Sequence, residues 1–308
     1  MRPQRSKLRD LVEERAGKNL RWYNILQHQD NEMRDLKVNE GTTAADAEPG
    51  QAGSVSTMNH LYDEEFYRYI EVGSVRSARV VVPLVLQELM PSNVLDVGCG
   101  AGAWLAEYRK EGITDYLGVD GAYVRRESLL IPPGYFQSQD ITRAFDLGHK
   151  YDLVQCLEVG EHVSAGSSRT LIENLCRHGD KVLFSAATPG QGGEDHINEQ
   201  PFEYWRLLFA QQGYKPFDCF RPKLEGIRTV EPWYRRNILL YVAEKAIPAL
   251  TLAVACSAIP DDRKIPEMTS LVHKVRARLL SVLPVWCVSK MAFAKHKAVI
   301  ACRMMRNN

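Results

Sequence analysis

The sequence predicts an α/β fold, a doubly wound and mostly parallel sheet with helices on both faces. Three observations predict it. Five short apolar runs have the length and near-continuous hydrophobicity of strands buried on both sides: NVLDVG (93–98), DYLGVD (115–120), GYFQSQD (134–140), YDLVQC (151–156) and KVLFSAA (181–187). Segments of helical composition, 102–111 and 164–178, lie between them, and alternating strand and helix is the order a parallel sheet with crossover helices requires. Glycines and acidic residues gather where the runs end, the edge at which open sheets of this kind bind ligands.

The flanking elements follow in order. Residues 6–38 are charge-rich, with Leu8, Leu11 and Val12 at helical spacing. NEGTTAADAEPGQAGSVST (39–57) has the small, polar composition of a linker. SARVVVPLVLQELM (77–90) reads as a helix despite its proline. After the fifth run, Pro201 suits the first turn of a helix in which Tyr204, Leu207 and Leu208 are candidate core residues. Trp205 reads as core before it reads as a stacking platform, Trp233 and Tyr234 as border residues of an acceptor pocket, and NILLYV as a closing strand. The expected organisation is an arm and linker at 1–60, the α/β domain at 61–245 and a basic helical extension at 246–308.

Composition narrows the function classes. Hydrophobic residues make up 45% and charged residues 25% of the 308 residues, ordinary values for a chain with a real core. Net charge is +1, so no global field argues for nucleic acid. From Asp261 to Asn308, however, ten Lys/Arg face three Asp/Glu. That stretch mixes basic and apolar residues as an interfacial amphipathic helix does, and as a basic helix packed on the domain also does. The seven cysteines form no C-x-x-C pair and fit a reduced compartment. The basic N-terminus has no apolar core of the signal-peptide kind. The apolar run at 246–260 is short of a membrane span. Together these predict a cytoplasmic protein whose C-terminal basic helix either packs on the domain or makes peripheral membrane contact.

The first ligand motif is VLDVGCGAGAW (94–104): a buried strand ends at Asp96, and Gly98, Gly100 and Gly102 follow before a helix opens. Glycine permits positive φ and lets the backbone approach a ligand without a Cβ in the way. Asp96 can hold the loop or reach a cationic amine. Asp120, at the next strand end, stands where a carboxylate grips ribose hydroxyls. The glycines alone also satisfy a loose dinucleotide fingerprint, or a plain tight turn. Asp96 before the loop, Asp140 with Ile141 at the third strand where an adenine amino group is met, and the lack of a second substrate domain favour S-adenosylmethionine over NAD.

In this order and spacing VLDVGCGAGAW, YLGVDG, SQDIT and YDLVQCLEVGEHV resemble the successive motifs of class I S-adenosylmethionine-dependent methyltransferases, over roughly residues 61–245. The resemblance implies a Rossmann-like sheet and methyl transfer. The second half, VLFSAATPGQGGEDHINEQPFEYWRLLFAQQGY followed by WYRRNILLYV, is similar to a bacterial subgroup some of whose members modify sugars or other small molecules.

CLEVGEHV (156–163) raises a separate question, because it places Glu158, Glu161 and His162 at the mouth of a buried strand. In a short helical turn begun at 158 the three would share one face. His196, after the next strand, would face them across the cofactor's methyl group. Two carboxylates and two imidazoles suit a divalent metal, Mn²⁺, Co²⁺ or Zn²⁺ before Mg²⁺. A metal can lower the pKa of a hydroxyl and hold an adjacent oxygen, so a vicinal diol suits such a site. The E-x-x-E-H element with a downstream His also resembles methyltransferases that use metal on adjacent oxygens, of small-RNA 3′ ends and of catechol-like ubiquinone precursors. That resemblance implies Glu158, Glu161, His162 and His196 as ligands.

Other readings stay open. Glu158 closes the cofactor pocket, His162 is a metal-free general base, or Glu161 is a solvated helix residue. Arg76 and Arg79 meet a carboxylate of cofactor or acceptor, or lie on a solvated face. The expected function is O-methylation of a hydroxyl on a sugar or glycan intermediate, with His162, Glu161 and His196 catalytic. The alternatives are a catechol-like or lipid-soluble acceptor, and a non-catalytic cofactor-binding protein acting through its basic tail. RNA is disfavoured, because the domain lacks a basic excess.

Overall fold

The computed structural model of the chain describes residues 54–268, with side chains from residue 72 onward. The expected helix at 6–38, most of the linker and the basic stretch after 268 lie outside the described residues.

Helix α1 (Ser54–Leu89) leads into the sheet and carries Pro83 inside it, as the sequence predicts. Ala78, Val81, Val82, Val85 and Leu89 are buried and recur every three or four residues, the stripe a helix needs to seal one face of a sheet. Met90 ends it in the left-handed conformation (φ 45°) ahead of Pro91, which disfavours further helix. Strand β1 (Asn93–Val97) follows, then α2 (Ala103–Lys110), β2 (Asp115–Asp120), β3 (Phe136–Ser138), β4 (Leu153–Leu157), α3 (Ser168–His178) and β5 (Lys181–Ser185). Every strand predicted from an apolar run is present. The remaining elements are α4 (Phe202–Ala210), β6 (Tyr214–Phe217), α5 (Arg221–Leu224), α6 (Pro232–Asn237), β7 (Leu239–Ala243) and α7 (Leu252–Ala255).

The seven strands lie in the order β3-β2-β1-β4-β5-β7-β6. All neighbouring pairs from β3 to β5 are parallel, and β7 runs antiparallel to both β5 and β6. Strand order reverses between β1 and β4, and the carboxyl edge at such a reversal is where open sheets of this kind bind ligands. Alternation along each strand feeds two cores: Val94 joins the residues of α1 and α2, whereas Leu95 and Val97 join those of α3 and α4.

Two expectations need correction. Leu207 is 63% exposed, because α4 turns Phe202, Trp205 and Phe209 inward instead. Strand β6 has no counterpart in the sequence reading: Lys215 and Pro216 break its pattern, and such residues are tolerated because β6 is an edge strand.

Residues beyond 245 continue to pack on this domain. Ile259 N–H donates to Pro216 O at 2.9 Å and Asp218 N–H to Ser257 O at 2.9 Å, so residues 257–259 cover the open edge of β6. Two buried guanidiniums hold the segment that follows. Arg206 donates to Arg263 O at 2.6 Å and Pro260 O at 2.8 Å. Arg221, fully buried, pairs with both oxygens of Asp218 and donates to Pro266 O at 2.9 Å. Cutting the chain after 245 therefore strips Arg206 of Pro260 O, Asp261 and Arg263 O, takes Pro266 O from Arg221, which keeps its Asp218 pair, and bares an edge. We expect residues 1–245 to unfold about 3–5 kcal/mol more easily than residues 1–268, the usual effect of breaking buried charge partners. Equal urea midpoints and slopes for the two would refute this. Among the described residues no helix is long and apolar enough to cross a membrane.

Candidate active site

The glycine loop turns sharply out of β1. Gly98, Gly100 and Gly102 have φ of 79°, 53° and 82°, a region that side chains with a Cβ rarely enter. At Gly98 a Cβ would meet the Val159 side chain at 2.5 Å, so this glycine lets the loop after β1 close on the loop after β4. At Gly100 a Cβ would meet nothing within 4 Å, and the backbone there faces open space. That space is what a cofactor cradle requires.

Asp96 stands under the loop, 2% exposed, and its Oδ2 has no hydrogen-bond partner. Burial pushes its carboxyl up to about 7, the Gln155 amide opposes the rise, and the nearby Asp120 charge adds to it. Asp120 accepts from Gly100 N–H at 2.7 Å on one oxygen, and from Gly121 N–H at 2.7 Å and the Tyr123 hydroxyl on the other. It thus braces the loop at the end of β2. Asp140 is exposed and caps its own turn: Thr142 donates to it from the backbone at 3.0 Å and from the hydroxyl at 2.6 Å, and Arg143 lies at 3.2 Å. Ile141 beside it is buried.

The turn after β4 is not the helix expected from residue 158. Glu158 is left-handed (φ 56°), its N–H donating to Ser185 O at 2.9 Å, and the 3₁₀ turn spans Gly160–His162. The reason lies beneath it: a Cβ at Gly160 would meet the Trp205 ring at 2.8 Å, so only glycine lets the turn sit down on α4. Trp205 is accordingly core, 2% exposed.

The expected convergence of two loops does occur. The Glu161 carbonyl accepts from both Ile197 N–H and Asn198 N–H at 3.0 Å, which clips the loop after β5 onto the 3₁₀ turn. Asn198 reinforces the clip by donating to Gly160 O at 3.2 Å and Ser168 Oγ at 2.9 Å. The rings of His162 and His196 then meet edge to face, centroids 5.0 Å apart. One ligating atom from each of Glu161, His162 and His196 lies within 4.8 Å of the others.

These groups differ in environment. Glu161 is fully buried, and among the described residues neither carboxylate oxygen has a hydrogen-bond partner at ordinary distance. Burial first, and then the like charge of Glu158, hold its carboxyl well above the usual range. Burial and the neighbouring His196 lower the His162 imidazole, which keeps it neutral at pH 7. One side of His162 is open to solvent, and its Nδ1 lies 3.3 Å from Asp195 O.

Glu158 stands outside this group, which corrects its expected place as a fourth ligand. Its left-handed backbone turns the carboxylate into an amide clamp, accepting from Asn237 at 3.2 Å and from Gln191 at 3.2 Å. Asn237 also donates to Gln191 Oε1 at 2.9 Å, closing the triangle. Burial raises the Glu158 carboxyl, with Ser185 and the two amides opposing.

Arg76 and Arg79 each face an acid of this chain, and Arg79 stays 61% exposed on a solvated helix face. Arg76 pairs with Glu231 at 2.6 Å, and Arg79 lies 3.7 Å from Glu107. Tyr234 is buried edge-on against Trp104, its hydroxyl 3.0 Å from Ser74 Oγ, so it joins α1 and α6 to the helix behind the glycine loop. The sequence reading missed Gln191, Asn198, Glu199 and Asn237. The signal for Glu199 was its spacing from His196, three residues along a loop of glycines.

Residues 69–219 match a family model described as a methyltransferase domain. Over 134 residues the chain is 28% identical to a ubiquinone biosynthesis O-methyltransferase of Neisseria meningitidis, covering 41% of this chain and 52% of that protein. The chain thus spans about half the length of that curated relative. It is similar to the solved sugar N-methyltransferase KedS8 from Streptoalloteichus, with 17% identity, 67% of this chain and 99% of that chain covered, and a TM-score of 0.46. It is also similar to the magnesium protoporphyrin IX methyltransferase of Synechocystis, with 20% identity, 64% and 87% coverage, and a TM-score of 0.39. Residues 69–219, which that methyltransferase-domain model matches, carry the Rossmann-like sheet order and the glycine loop described above.

Proposed function

We propose that the chain is an S-adenosylmethionine-dependent O-methyltransferase whose acceptor hydroxyl is handled by a divalent metal at Glu161, His162 and His196. The observation that carries this is the meeting of one buried, unpartnered carboxylate and two imidazoles within 4.8 Å, beside the loop after β4. A carboxylate with no hydrogen-bond donor needs either a proton or a cation. A mixed oxygen and nitrogen donor set favours Mn²⁺, Co²⁺ or Zn²⁺ over Mg²⁺.

The open face at Gly100 and the orphaned Asp96 oxygen fit S-adenosylmethionine, which supplies a sulfonium methyl when bound. Asp96 would pair with its amine, and Asp120 would meet its ribose. A metal at the second site supplies Lewis acidity toward the acceptor oxygen. Neutral His162 keeps a lone pair for ligation or for the hydroxyl proton. Glu158, fixed by Gln191 and Asn237, would close the cofactor pocket.

For the acceptor we propose a hydroxyl with an oxygen on the adjacent carbon, in a sugar or glycan intermediate. A catechol-like acceptor presents the same pair of oxygens, and the curated relative's name favours that second reading. Excess chelator should abolish transfer, and Mn²⁺ or Co²⁺ should restore it. Full turnover in chelator would leave His162 as a metal-free base. A panel of vicinal diols, catechols and analogues with one oxygen removed separates the acceptors. Cofactor binding with no transfer to any of them would favour a non-catalytic protein.

A further inference from the structure

We infer that Glu199 is the positioning residue of His196, fixing its imidazole as the tautomer protonated on Nδ1 so that Nε2 presents the bare lone pair. The inference rests on the reading of Glu161, His162 and His196 as the chemical centre.

The loop between β5 and α4 has no secondary structure to stiffen it, and one carboxylate does that work. Glu199 Oε2 accepts from Gly190 N–H at 2.7 Å, and Oε1 accepts from Gly192 N–H at 2.7 Å. Gly190 and Gly192 have φ of 79° and 72°, the backbone conformation that turns both donors toward one anion. The same Oε1 lies 2.9 Å from His196 Nδ1. Both Glu199 oxygens already accept backbone N–H groups, so the carboxylate meets Nδ1 as an acceptor and Nδ1 carries the hydrogen. A ring that donates at Nδ1 has its rotation and tautomer set together, as metal-binding histidines have theirs set by a carboxylate behind them.

A second contact fixes the ring from its face. A Cβ on Gly193 would lie 2.1 Å from Nε2, 2.3 Å from Cε1 and 2.6 Å from Cδ2 of His196. Distances so nearly equal place that point over the ring and off the lone-pair axis. The imidazole therefore lies flat on the glycine backbone, with its Nε2 direction unobstructed by Gly193. The clip through Glu161 O then holds the whole loop against the 3₁₀ turn.

The test is the tautomer itself, read in protein carrying ¹⁵N-labelled histidine by long-range proton–nitrogen correlation, metal-free and at mildly alkaline pH. The His196 signals are assigned by their loss in His196→Gln. We expect neutral His196 protonated on Nδ1. Glu199→Ala should abolish that preference and weaken Mn²⁺ binding roughly 10–100-fold, with S-adenosylmethionine affinity unchanged. Glu199→Gln, whose amide oxygen still accepts from Nδ1–H, should keep the tautomer and lose less Mn²⁺ affinity. An Nε2-protonated or doubly protonated His196 in the wild type overturns the inference, and so does an unchanged tautomer in Glu199→Ala. The wild-type spectrum decides even should the alanine variant fail to fold. If the wild type binds no Mn²⁺, the metal reading falls while the tautomer still decides the role of Glu199.

Discussion

Glu161→Ala should lower kcat/KM for methyl transfer by about 10²–10³-fold, the scale on which loss of one group stabilising developing charge is felt. S-adenosylmethionine affinity should not move, because no bond of the glycine loop reaches Glu161. Both oxygens of Glu161 are buried with no hydrogen-bond partner at ordinary distance among the described residues, and Glu158 adds a like charge. In the metal-free protein burial therefore favours the protonated form of this group. A cation placed among Glu161, His162 and His196 draws that proton off, so metal affinity should fall as pH falls. Stability follows the same logic. The folded pKa lies above the unfolded value, so the cost of this group is absent below the unfolded pKa and grows as pH rises toward the folded one. Excess Mn²⁺ should remove that cost and raise the Tm of the wild type at neutral pH, but not that of Glu161→Ala. Near-wild-type turnover in the variant, or an equal Tm shift with Mn²⁺, would remove Glu161 from the centre.

Asp96→Asn should weaken S-adenosylmethionine binding by roughly 10–100-fold, the worth of one hydrogen bond to a charged group in a buried site. It should also change the shape of the pH dependence. Asp96 is held at about 7 in the free domain, so below that pH it must give up a proton before it can pair with an ammonium. The wild-type Kd should therefore rise up to tenfold per pH unit below 7 and level off above it. At higher pH the ligand's own amine loses its charge and binding weakens again. In Asp96→Asn the acid limb should vanish. Calorimetry in buffers of different ionisation heat checks both, since wild-type binding near pH 6 should release a proton. A flat wild-type profile across pH 5–7 would mean that the amine is met elsewhere.

The strands and the glycine loop were legible because they are local. A buried parallel strand announces itself as an apolar run, and Gly98, Gly100 and Gly102 sit within five positions of one another. The meeting of His162 with His196 was legible for a different reason: parallel strands send successive loops to one edge, so the loops after β4 and β5 had to be neighbours. Glu158 was misplaced because residue spacing on an assumed helix was taken to set its direction. Its left-handed backbone and the Ser185 bond set that direction instead. Nor could spacing reveal the clamp on Glu158, whose amides Gln191 and Asn237 come from 33 and 79 residues away.

By itself, then, the amino-acid order determined the sheet, the cofactor edge and the pair of imidazoles, since each follows from short-range pattern and the geometry of parallel crossovers. Only the tertiary structure decided which carboxylate stays bare and which is clamped. That choice depends on the donors each buried oxygen finds, and these come from distant segments brought in by packing. The same holds for the edge of β6, covered by residues 257–259 because an unpaired strand must be satisfied by whatever chain passes next to it.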